Sequence, residues 1–73
     1  MNGWKNVATW QTYTMLANTE WMYTAAAKLT KESAKVGSDK HEAYLANLLR
    51  EQFGAQQGVD WDEIAEALID GQI

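Results

Sequence analysis

The stretch Gly3-Trp4-Lys5-Asn6-Val7-Ala8-Thr9-Trp10 decides how the rest of the chain is read. Two tryptophans stand six residues apart in it, with an asparagine between them that can start a helix. An asparagine N-cap works because its side-chain oxygen accepts from backbone N–H groups that the first helical turn leaves unpaired. Beyond Asn6, Val7, Trp10, Thr14 and Ala17 recur at helical spacing, with Tyr13 beside them. This predicts a first helix over 7–17 whose inner face carries Trp10. Thr9, Thr12 and Thr14 are β-branched and weaken helix propensity, so a strand over Thr9–Met15 competes. Strict alternation fails at Trp10-Gln11-Thr12-Tyr13, and the helix is preferred.

Working outward, Met1-Asn2-Gly3 reads as a loose start. Asn18-Thr19 breaks the first pattern, and either residue can cap the next helix. Glu20 then suits the positive end of a helix dipole. A second helix over 19–35 carries the stripe Met22, Ala25, Ala26, Leu29, with Lys28, Lys31 and Lys35 towards its end and Gly37 as a stop. Ser38 is read as the cap of a third helix over 39–53. Its apolar face holds Tyr44, Leu45, Leu48, Leu49 and Phe53. Gly54 ends it, and Ala55-Gln56-Gln57-Gly58 is a short linker. The fourth helix, 61–70, has the clearest local signature. Asp60 is the cap, Glu63 completes a capping box, and Val59 and Ile64 form a hydrophobic staple. Trp61, Ile64, Ala65 and Leu68 face inward, while Asp62, Glu63, Glu66 and Asp70 face water.

The expected architecture is therefore all-α: one domain, 1–73, built as a small bundle of three to four short helices. Its expected core is Trp4, Trp10, Leu45, Leu48, Leu49, Phe53, Trp61, Ile64 and Leu68. Seventy-three residues bury only about 60% of their unfolded surface, so a chain this short needs reinforcement. There is no cysteine, and with a single histidine, His41, a zinc site would have to be mostly carboxylate, which zinc rarely accepts. Aromatic burial or self-association is what remains, and an aromatic-rich core is expected, since four Trp, three Tyr and one Phe are a heavy load here.

Composition also narrows function. No window approaches a membrane span, and no signal-peptide core is visible, so a cytoplasmic protein without a membrane role is expected. Residues 1–50 hold six bases against four acids, a net +2, whereas 51–73 hold six acids and no base, a net −6. That balance argues against direct nucleic-acid binding by the whole surface. His41 lies on a polar stretch and reads as a surface histidine. Asp62 with Glu66 and Glu63 with Glu66 share helix faces, as ordinary solvated acids do. No glycine fits a phosphate loop, and neither Ser33 nor Ser38 has a nucleophile-elbow context. No catalytic, cofactor-binding or metal residue is assigned, and an enzyme is not expected. Trp21 and Tyr23 flank the stripe of the second helix, and exposed aromatics mark contact surfaces. With Asp62, Glu63, Glu66 and Asp70 they form the candidate partner-binding set.

Both ends of the chain carry a resemblance. Gly3-Trp4-Lys5-Asn6 with Thr9-Trp10, then Asn18-Thr19-Glu20 and Tyr23, and the closing Val59-Asp60-Trp61-Asp62-Glu63-Ile64-Ala65-Glu66, resemble a group of small uncharacterised proteins from bacteriophages and mobile elements. Members open with a G-W-x-N-x-x-T-W pattern. Val7-Ala8 stands where that group has an aromatic and an acidic residue, and Thr19 where it has Asp. The match covers about half the chain. It implies a phage setting, no activity and no functional residues.

The function expected is thus a small phage-like accessory protein that binds a host or viral protein and modulates it, inhibition being the expected effect. The alternatives are a self-assembling homo-oligomer and an acidic nucleic-acid mimic that blocks a DNA-binding enzyme. Both matched ends place a tryptophan at a capped helix start. If the last helix packs on the first, Trp4, Trp10 and Trp61 are expected to form one closing cluster.

Overall fold

The computed structural model describes residues 3–54 and 57–71. The readings of Met1-Asn2 as a loose start and of Ala55-Gln56 as linker lie outside these residues. Four α-helices succeed one another: α1 (Val7–Asn18), α2 (Glu20–Ser33), α3 (His41–Phe53) and α4 (Trp61–Ile69). A 3-10 turn, Ala34–Val36, extends α2. No strand occurs among the described residues, and no helix there is long and apolar enough to cross a membrane. The chain is a small all-α bundle. α2 and α4 each pack on all the other helices, whereas α1 and α3 are not in contact.

The helix ends obey local chemistry, with one correction. Asn6 caps α1, its side-chain oxygen accepting from the Thr9 N–H at 2.8 Å. Asp60 caps α4 in the same way, accepting from the Glu63 N–H at 3.1 Å. Ser38 does not cap α3. The helix starts at His41, with Lys40 in the cap position and no side-chain cap bond. Gly37, at φ 100°, ends the 3-10 turn. The Lys40 N–H then bonds to the Gly37 carbonyl at 3.2 Å, so a backbone turn occupies the place where a serine cap was expected.

The centre is made of Leu16, Met22, Ala26, Leu45, Ala46, Leu49, Trp61, Ile64 and Ala65. Alanines from α2, α3 and α4 let the helices approach closely. That leaves room for a single fully buried indole, Trp61, at 2% exposure. Its N–H finds no partner in the structure, a cost of about 1–3 kcal/mol set against burial of the ring. The expectation of an aromatic-rich core is corrected accordingly. Trp4, Tyr13, Phe53 and Leu68 are half-buried and pack against the core from outside. Leu48 is also half-buried, at the flank of the Leu45–Ala46–Leu49 face, and Tyr44 is exposed.

The largest correction concerns α1. Trp10 is 37% exposed and is not a core residue. The buried face of α1 is instead Thr9, Thr12 and Leu16. Thr9 explains the orientation. Its hydroxyl accepts from the Asp60 N–H at 2.9 Å and faces the Gly58 carbonyl at 3.5 Å, so it must point at the start of α4. Successive residues on a helix turn by about 100°, and Trp10 is carried away from the core. The expected cluster of Trp4, Trp10 and Trp61 does not form. Trp4 packs on Tyr13, with ring centroids 4.4 Å apart, while Trp61 stacks on Phe53.

The two ends are nonetheless joined, through polar groups. The Asn6 side-chain amide donates to the Gly58 carbonyl at 2.8 Å, and the Lys5 backbone N–H donates to Glu63 Oε1 at 3.0 Å. Lys5 Nζ lies 3.4 Å from Asp60 Oδ2, an exposed ion pair worth about 0–1 kcal/mol. The capping box is thereby altered. Glu63 reaches the Lys5 N–H rather than the Asp60 N–H, which Thr9 takes. Gly58 suits this junction through its backbone: at φ 86° it lies in the left-handed region that favours glycine, while an added Cβ would only make ordinary contact with Ala8 Cβ at 3.6 Å.

Thr9→Val keeps the shape and removes the hydroxyl, stranding the Asp60 N–H. A loss of about 1–3 kcal/mol with unchanged helix content is expected in thermal or urea melts. Wild-type stability in this variant would remove the interlock as a stabilising element. Asp60→Ala should cost about 1 kcal/mol by the same measurement.

Candidate functional site

Trp21 is the most exposed aromatic of the described residues, at 62%. It is not loose. Its ring lies 6.0 Å from that of Phe53 in α3, and Phe53 stacks at 6.3 Å and 17° on the buried Trp61 of α4. Three helices therefore contribute to one aromatic ladder running from solvent to core. Each step of such a ladder is worth about 0.5–1.5 kcal/mol beyond area burial. The outer indole is held in place by it without being covered.

Tyr23 is exposed too, yet it does not share a patch with Trp21. Two residues along a helix differ by about 200°, so the pair emerges on opposite flanks of α2. Tyr23 borders a separate hollow of about 210 Å³ with Ala27, Thr30, Lys31 and Leu68.

The acids of α4 divide. Asp62, Glu66 and Asp70 are exposed. Glu63 is half-buried and committed to the Lys5 N–H, so it leaves the expected partner-binding set. In its place the fold supplies an acid that sequence reading missed. Burial, then a hydrogen bond with Glu66, then the charges of Glu66, Asp62 and Asp60 raise the pKa of Glu42 above the usual glutamate value. The acidic face thus spans α3 and α4. The available signal was topological: two consecutive helices that pack antiparallel set the first turn of α3 beside the second half of α4. No group of three or more His, Cys, Asp or Glu side chains suited to a metal ion is present among the described residues.

Two further places carry polar groups. An open groove of about 460 Å³ lies at the start of α4, where Lys5 and Arg50 face Asp60 and Asp62. The charges there balance, and Arg50 donates to Asn47 Oδ1 at 2.8 Å. The second place is His41. It is not the free surface histidine expected, because its Nε2 lies 2.8 Å from Ser33 Oγ and 3.0 Å from the Thr30 carbonyl. Ser33 Oγ donates to that same carbonyl at 3.0 Å. Both neighbours are then acceptors towards the ring, and Nε2 carries the proton. Ser33 is fully buried. A serine in that state, with its proton directed at a backbone carbonyl, is a strap between α2 and α3, and no substrate can reach it.

Glu42 yields a pH test. Its folded pKa is raised, so the folded state binds more protons than the unfolded chain between the two values. Its contribution is full below the usual glutamate range and is lost as pH rises through the folded pKa. Glu42→Gln should therefore stabilise the protein near neutral pH, by about 0.3 kcal/mol given the exposure of the group. The gain should vanish below about pH 4. Melting temperatures at both pH values check this, and a destabilised variant at neutral pH would contradict it.

In comparisons with protein-family models, curated proteins and solved structures, nothing matches the chain.

Proposed function

We propose that this chain is a small phage-like accessory protein that acts without catalysis. In this reading it binds a protein of the host or of the virus in the host cytoplasm and modulates it, with inhibition as the effect. The supporting observation is Trp21, an exposed indole fixed on a ladder of two further rings. Tryptophan is over-represented among residues that dominate binding energy. An anchor already held in one position loses less freedom on binding than a mobile one.

The acidic face formed by Glu42, Asp62, Glu66 and Asp70 adds electrostatic character to the same reading. Such a face speeds encounter with a basic partner and selects against acidic ones. Nucleic-acid mimicry is less favoured, since Lys5 and Arg50 stand beside the α4 acids and dilute the field. The phage setting rests on the resemblance carried by the two ends of the chain.

The test is affinity capture from a bacterial host lysate with wild-type protein and with Trp21→Ala. A specific protein should be retained by the wild type and lost with the variant, whose stability should fall by about 0.5–1.5 kcal/mol, the worth of the one ring contact removed. Retention should also weaken as salt rises, because the acidic face is exposed. Equal capture by both proteins would overturn the role of Trp21.

A further inference from the structure

Tyr23, Ala27, Thr30 and Lys31 lie along one flank of α2, and with Leu68 of α4 they line the hollow of about 210 Å³. Pockets that take a whole cofactor or drug-sized ligand hold roughly 300–1,000 Å³, so this one has room for a single side chain. Tyr23, the small Ala27 and the half-buried Leu68 give it apolar walls.

Two polar features stand beside those walls. Lys31 is the one charged residue that lines the hollow, and no described side chain forms an ion pair with it. Lys28, three residues before it on the same helix face, and Lys35 beyond it are exposed as well. This flank of α2 is therefore basic on a chain of net charge −4, and it draws an anion that the acids of α3 and α4 repel. Thr30 is the second feature. Its hydroxyl proton is donated to the Ala26 carbonyl at 2.8 Å. The oxygen has only acceptor capacity left, and it calls for a donor.

We propose that the hollow captures the C-terminal residue of a partner protein whose last side chain is apolar. The free carboxylate meets Lys31, the backbone N–H of the same residue meets Thr30 Oγ1, and the side chain enters the hollow. Capture of a C-terminal carboxylate is a recurring mode of peptide recognition. A terminal apolar residue carries all three groups around one Cα. A fatty acid has the anion and the apolar body but no donor. An internal apolar residue has the donor and the side chain but no carboxylate. The hollow is on the flank of α2 opposite Trp21, and the proposal does not rest on the role of Trp21.

A magnetic-resonance titration of isotope-labelled protein tests it with three probes: N-acetyl-leucine, its uncharged amide N-acetyl-leucinamide, and isocaproate, which keeps the carboxylate and the branched chain but has no N–H. N-acetyl-leucine should shift the amide signals of Ala27, Lys31 and Leu68, with a Kd of about 1–10 mM that rises with salt. The amide should bind about threefold more weakly or worse, since an exposed ion pair is lost, and isocaproate likewise, since a hydrogen bond is lost. Lys31→Gln should abolish the preference for the acid over the amide. Lys28→Gln removes the same charge outside the hollow and should keep that preference. Ala27→Leu fills the hollow from an exposed position at almost no cost in helix propensity and should block binding with the melting temperature preserved. Equal affinity for acid and amide, or a preference that survives Lys31→Gln, would overturn the proposal. So would isocaproate binding as tightly as N-acetyl-leucine, which would leave a site for any apolar acid, and so would shifts confined to other parts of the chain.

Discussion

The fold depends on one hydroxyl group meeting one backbone amide, Thr9 Oγ1 and the Asp60 N–H, 2.9 Å apart. The Asp60 N–H precedes the first turn of α4 and has no partner within its own helix. Buried and unpaired, such a group costs about 1–3 kcal/mol. Thr9 supplies the acceptor, and this single contact sets the rotation of α1. Once Thr9 faces α4, Thr12 and Leu16 face the core, and Val7 and Trp10 face outward. Asn6, Lys5 and Glu63 complete the junction. The choice of which aromatic groups are buried results from it, so a polar contact decides the apolar packing.

The aromatic residues consequently serve different ends. Trp61 fills the centre and Phe53 carries its ring plane outward. Trp21 extends the ladder into solvent. Trp4 closes over Tyr13 at the other side. Small alanines at the middle of α2, α3 and α4 make this division necessary, because helices that approach so closely leave little volume for indoles. Backbone groups satisfied across the junction add to the aromatic burial.

The features legible in the sequence were local. The Asn6 and Asp60 caps act on residues three positions away, and Gly37 and Gly54 mark stops that need no tertiary partner. The number and order of helices come from these signals together with periodicity. The rotation of α1 was not legible, because both candidate stripes, Val7–Trp10–Thr14 and Thr9–Thr12–Leu16, have helical spacing. The more hydrophobic one would normally be the inner one. Thr9 reverses that through a partner 51 residues away. His41 and Ser33, Glu63 and Lys5, and Glu42 and Glu66 were hidden for the same reason: each pair joins two elements. Of the candidate surface, the exposure of Trp21 could be read from the α2 stripe, whereas the ladder beneath it could not.

The junction between the ends has a consequence for the order in which the molecule assembles. Its hydrogen bonds join residues 49 to 58 positions apart, so none can form until a loop of that size has closed. Loop closure of this kind costs entropy before any bond is gained, while α3 and α4 are neighbours in sequence and can pair early. α1 and α2 are neighbours in sequence as well and pack on each other, so local pairing can give both helix pairs before the polar junction closes. Interactions made after the rate-limiting step govern how fast a protein opens rather than how fast it closes. A junction closed last would be a latch on lifetime: it would hold the bundle shut without guiding it there.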